Sequence, residues 1–120
     1  MFAAKNSLGN LIGIVDRNNI QIDGNTEDVM PLEDLAEKWQ SFGWHVQEVD
    51  GHNIEAIIDS LMMSKAVSDR PSLIIAHTIP GKGVDFMEYD YRWHGKPPNA
   101  LEATEALAEL RSLKGKIKYD

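Results

Sequence analysis

Asn18 and Asn19 stand side by side in D-R-N-N-I-Q-I-D-G, Asp16 to Gly24. An Asn side-chain oxygen and a backbone carbonyl two residues on can face one hard cation such as Mg²⁺ or Ca²⁺. Two neutral oxygens hold such an ion poorly, so a carboxylate and phosphate oxygens would have to complete its shell. The same residues suit a plain turn, because Asn tolerates the left-handed region and bonds its own backbone; Asp23-Gly24 is a second turn pair. His94 lies in W-H-G-K-P-P. It is either a surface loop histidine or a donor of adjustable charge aimed at a phosphate or substrate oxygen. Lys82 between Gly81 and Gly83 resembles a phosphate loop, but the Ser/Thr of the full pattern is absent. His45, His52 and His77 have no ligand spacing and read as structural. No nucleophile elbow occurs. Trp39, Phe42 and Trp44 flank Gly43 and read as core.

Elements must position these groups. Asn10 to Val15 is a short apolar run, which is how a strand buried on both faces reads. Trp44 to Val49 is a weaker, alternating strand suited to an edge. Ser72 to Thr78 is apolar between Pro71 and Pro80 and predicts a third strand. Pro31 predicts the first turn of a helix through Leu32, Leu35, Ala36 and Trp39, stopped by Gly43. Asn53 predicts the N-cap of a second helix through Ile54, Ile57, Ile58, Leu61 and Met62. Asn99 and Glu102 form a capping box for a third, through Leu101, Ala106, Leu107 and Leu110. The order β-α-β-α-β-α predicts an α/β fold: a parallel sheet flanked by helices. Two long loops, Asp16 to Met30 and Ile79 to Pro98, leave the carboxyl ends of predicted strands, where open α/β sheets bind ligands. Met1 to Ser7 reads as the tail of an amphipathic helix.

Composition narrows the class. The chain has 120 residues, so one domain or less. It has no cysteine, which excludes disulfides, Cys-ligated zinc and thiol catalysis. Twelve Lys+Arg against nineteen Asp+Glu give a net charge of −7, which argues against nucleic acid as a partner. No run approaches the ~20 apolar residues of a membrane span, and no leader precedes the first strand. A cytoplasmic globular protein is the expectation. Asp23, Glu27, Asp28, Glu33, Asp34 and Glu37 form an acidic stretch that reads as a solvated face, and the tail from Arg111 is basic.

N-L-I-G-I-V-D-R-N-N-I-Q-I-D-G resembles the second half of the thiamine-diphosphate motif of transketolases. F-G-W-H-V-Q-E-V-D-G-H, from Phe42, resembles the next strand and turn of that domain. I-I-A-H-T-I-P-G-K-G-V-D-F-M-E, from Ile74, and W-H-G-K-P-P-N, from Trp93, resemble the N-terminal subunit of two-chain transketolases. The resemblance runs over nearly the whole chain. It implies transfer of a two-carbon ketol unit between sugar phosphates, with thiamine diphosphate and Mg²⁺ (or Ca²⁺) as cofactors. By resemblance, Asn18 would ligate the metal through its side chain and Ile20 through its carbonyl. Ile22 would line the cofactor ring, and Ile79 would touch the cofactor too. His94 would contact the diphosphate and orient or stabilise charge on the substrate. The family motif opens on G-D-G, whose aspartate is the anionic ligand, and this sequence has no G-D-G. Residues 1–120 are therefore expected to be a partial diphosphate-binding domain, inactive alone. Its expected partners are an amino-terminal segment and a C-terminal subunit, in an oligomer. The alternatives are a non-catalytic assembly module of the same fold, or a piece of another thiamine-diphosphate enzyme such as a deoxyxylulose-phosphate synthase.

Overall fold

The computed structural model describes residues 1–112. The elements are α1 (Phe2–Lys5), β1 (Ile12–Arg17), β2 (Ile20–Gln21), β3 (Gly24–Asn25), α2 (Thr26–Val29), α3 (Leu35–Ser41), β4 (His45–Asp50), α4 (Ile54–Ala66), β5 (Ser72–His77), a 3₁₀ turn (Tyr91–Trp93) and α5 (Ala100–Ser112). They form two compact units. One is Met1–Arg17 with Leu32–Thr78; the other is Asn18–Pro31 with the chain from Ile79 on. The basic tail beyond Arg111 (Lys114, Lys116 and Lys118) lies outside the described residues.

The first unit is a parallel α/β layer. β5 is central and pairs in parallel with β1 and β4, giving the order β1-β5-β4. Leu73, Ile74 and Ile75 of β5 are at most 2% exposed, as expected of a strand covered on both sides. β4 is an edge, as its alternating pattern implied. β1 corrects the sequence reading: it begins two residues later than the apolar run, is the other edge of this sheet, and leaves Ile14 57% exposed. Periodicity reports that a run is apolar, not which strand takes the centre.

Ile14, Ile74 and Gln47 share one register row and so one face. α4 packs on that face through small polar residues. Gln47 Nε2 donates to Ser64 Oγ (2.9 Å) and to the Ser60 carbonyl (3.1 Å). Ser60 and Ser64 are buried while Ile54, Ile58 and Met62 are exposed. Asn53 caps α4, accepting from the Ala56 N–H at 3.0 Å. On the other face Trp44 reaches toward Gly13 and Leu73, and meets Trp39 of α3 edge-on at 4.9 Å. α3 starts later than Pro31 suggested. Asp34 is its N-cap, accepting from the Glu37 N–H (3.2 Å), and Lys38 Nζ ties down the carbonyls of Leu32 and Glu33 (2.7 and 2.9 Å). A real cap outcompetes a proline that merely permits a helix.

The second unit carries both loops. The first is not a structureless loop: β2 and β3 form a small antiparallel hairpin, and α2 follows at once. Residues 79–98 stay in turns apart from the 3₁₀ turn, which contacts β3. α5 opens on the expected capping box, with Asn99 Oδ1 accepting from the Glu102 N–H (3.0 Å) and Glu102 Oε2 accepting from the Asn99 N–H (2.7 Å). The Asp85 N–H donates to Glu109 of α5 (2.7 Å).

Candidate functional site

Asn18 is the first residue past β1. Its Oδ1 accepts from the Ile20 N–H at 3.1 Å, closing an Asx turn. Asn19 then takes φ +62°, and its carbonyl accepts from the Thr26 N–H (2.9 Å). The turn reading of this run is therefore realised. It leaves the metal reading open, because an amide oxygen keeps a second lone pair.

Trp93 sets the position of His94. Its Nε1 donates to the Phe86 carbonyl (3.0 Å), its ring meets Phe86 at 5.3 Å, and Lys96 Nζ sits 4.0 Å over it. The His94 N–H donates to the Tyr91 carbonyl (2.9 Å). Gly95 follows at φ +76° with open space where a side chain would project.

Asn18, Ile20, Trp93, His94 and Gly95 line one cavity of about 300 Å³ together with Pro80, Gly81 and Met87. That is the low end of small-ligand sites. Of the five residues singled out from sequence, three (Asn18, Ile20 and His94) meet here. Ile22 and Ile79 are not in the lining. Ile22 sits in the β2–β3 turn at φ +34°, 59% exposed, and the Ile79 carbonyl accepts from the Lys82 N–H (3.2 Å).

Asp90 lines the cavity and was missed from sequence. It caps the 3₁₀ turn, accepting from the Arg92 N–H (3.0 Å), and binds the Arg92 guanidinium (2.7 and 2.9 Å). These bonds hold its carboxyl below the usual carboxylate range. The signal was present in D-Y-R, an acid two residues before a base at a turn. Gly81 was likewise undervalued. A Cβ there would stand 2.6 Å from Met87, and its φ is +74°. The G-K-G loop makes no open cradle, because Glu88 accepts from the Gly83 N–H (2.9 Å) and stands 3.6 Å from Lys82 Nζ.

Residues that carry an amide oxygen, a main-chain carbonyl and an imidazole line one cavity, and such groups suit a hard cation and the anionic oxygens that accompany it. They fit as part of a shell. Among the described residues no group of three or more His, Cys, Asp or Glu could hold a metal by itself.

Residues 1–116 match the family described as transketolase, thiamine diphosphate binding domain. The 6-deoxy-6-sulfo-D-fructose transketolase subunit of Clostridium sp. (strain MSTE9) is 42% identical over 110 residues, covering 92% of this chain and 40% of that protein. An apulose-4-phosphate transketolase subunit of Phocaeicola vulgatus is 43% identical over 103 residues, covering 86% and 37%. A transketolase variant from Pichia stipitis superposes with a TM-score of 0.68 at 28% identity, covering 95% of this chain and 21% of that one. The chain thus spans about two fifths of the length of these curated relatives.

Proposed function

We propose, for a chain that belongs to the family of the transketolase thiamine diphosphate binding domain, that it works as the later part of that domain in a multi-chain transketolase. The reaction is transfer of a two-carbon ketol unit between sugar phosphates. The observation that supports it best is the single cavity shared by Asn18, Ile20 and His94. Thiamine diphosphate, when bound, supplies the electron sink for the two-carbon unit. This chain's part is to hold and orient. Asn18 Oδ1 and the Ile20 carbonyl would grip Mg²⁺ (or Ca²⁺), and Ile22 and Ile79 would flank the cofactor. His94 would donate to diphosphate or substrate oxygens. The anionic metal ligand would come from other polypeptide, and a C-terminal subunit would complete the assembly. The setting is the cytoplasm; among the described residues no helix is long and apolar enough to cross a membrane.

Calorimetric titration tests the split site. The chain alone should bind Mg²⁺–thiamine diphosphate weakly or not at all, and micromolar binding would show that no outside carboxylate is needed. Co-expression with an amino-terminal segment carrying G-D-G and with a C-terminal subunit should give ketol transfer. Asn18→Ala should then weaken metal-dependent cofactor binding by about tenfold or more.

The outward apolar stripe of α4 favours a second reading, a non-catalytic assembly module. It predicts a stable complex with those partners and no ketol transfer, so the same co-expression separates the two.

A further inference from the structure

The stretch from Asn18 to Pro31 begins where β1 ends and stops just short of α3. Inside it β2 pairs with β3, the Thr26 N–H bonds the Asn19 carbonyl, and the Met30 N–H bonds the Thr26 carbonyl (2.8 Å). Two residues flank it in sequence. Arg17 precedes the stretch directly, and Glu33 follows it by two positions.

Arg17 Nη2 and Nε donate to Glu33 Oε1 at 2.6 and 3.2 Å. The Arg17 side chain is 5% exposed and Glu33 57%. The second carboxylate oxygen is also used, accepting from the Leu35 N–H at 3.3 Å where α3 begins. Arg17 is fixed on its other side by the sheet: it pairs in register with His77, and its carbonyl accepts from the Thr78 N–H (3.3 Å). One end of the latch is thus anchored in the central strand pair, and the other in the start of α3.

We propose that Arg17 and Glu33 are positioning residues, a latch that closes the neck of the 18–31 excursion and so fixes the backbone carrying Asn18 and Ile20. A charge-assisted bond with a buried guanidinium is among the stronger polar contacts. Closing the base of a segment this long removes much of the freedom that its ends would otherwise have. Neither residue is among those that line the cavity with Asn18.

Arg17 is buried and its loss could unfold the chain, so the variants are made at Glu33. Backbone hydrogen exchange is measured on the full chain, wild type against Glu33→Gln. The Thr26 and Met30 amides should exchange about tenfold faster in the variant, the factor for losing one charge-assisted bond, while Ile74 and Ile75 of β5 stay within about twofold. Glu33→Asp, which keeps the charge but shortens the reach, should fall between. Equal acceleration in both segments would make the pair an ordinary stabilising contact and overturn the latch; so would no acceleration at Thr26 and Met30. This readout needs no cofactor. The consequence for metal binding rests on the function proposed above. In the assembled enzyme Glu33→Gln should raise the Mg²⁺ needed for half activity about tenfold. Local exchange without that rise would uphold the latch and remove the cofactor role of the loop.

Discussion

Ile22 holds a conformation that β-branched residues rarely take, φ +34° in a two-residue turn between Gln21 and Gly24. Such a residue stores on the order of 1–3 kcal/mol of strain. Ile22→Gly should therefore raise stability by up to about 1 kcal/mol in urea unfolding, the strain relieved less the freedom glycine adds to the unfolded chain, since its exposed side chain contributes little packing. A loss of that size instead would show that the side chain is packed. The opposite holds at Gly81, where positive φ and the nearby Met87 both exclude a side chain. Gly81→Ala should cost about 2 kcal/mol or more. Sequence reading missed both. Asp23-Gly24 is the usual hairpin signal, yet the register puts the turn one residue earlier, and only paired strands reveal that. Asn18 and His94 stand out in the sequence because their neighbours resemble a family motif, whereas D-Y-R around Asp90 reads only as a turn brace.

α4 was legible as an element and opaque in orientation. Asn53, the apolar spacing and Pro71 fix its existence, whereas Gln47 decides its rotation. A glutamine on the sheet face needs partners, and Ser60 and Ser64 provide them. Ile54, Ile58 and Met62 are left outside, while Ile57 and Leu61 are half-buried. Ser64→Leu should then cost about 1–3 kcal/mol by overpacking and by stranding Gln47. Ile58→Gln should change stability by less than about 0.5 kcal/mol. A helix seated the other way would reverse this order. The ends of α3 show the same logic through charge. The bond from Arg17, with help from the Leu35 N–H, holds the Glu33 carboxyl below its ordinary value. Its contribution is therefore present above the ordinary carboxylate pKa and is lost as pH falls through the lowered one. The difference in melting temperature between wild type and Glu33→Gln should be steady near neutrality and shrink in acid. A difference that is unchanged at the lowest pH would mean the charge is not what matters.

Over the whole molecule two forces oppose each other. Some exposed residues are apolar: Ile14 on the sheet, and Ile54, Ile58 and Met62 on α4 stand half or more in solvent. Ile54, Ile58 and Met62, spaced four apart, lie along one side of α4, and apolar surface that is contiguous drives association. The net charge of −7 resists it, because like-charged copies repel. That repulsion is screened beyond about 10 Å at 0.1 M salt, whereas apolar contact is not. The chain alone should therefore grow in mass as salt is raised. Light scattering on the eluting peak, at about 20 mM and about 500 mM salt, should show a shift from monomer toward dimer or larger species. Ile58→Gln with Met62→Gln should suppress the shift without lowering the melting temperature. A chain that stays monomeric at both salt levels would mean that these residues do not form a continuous sticky face, and the assembly-module reading would lose its physical basis.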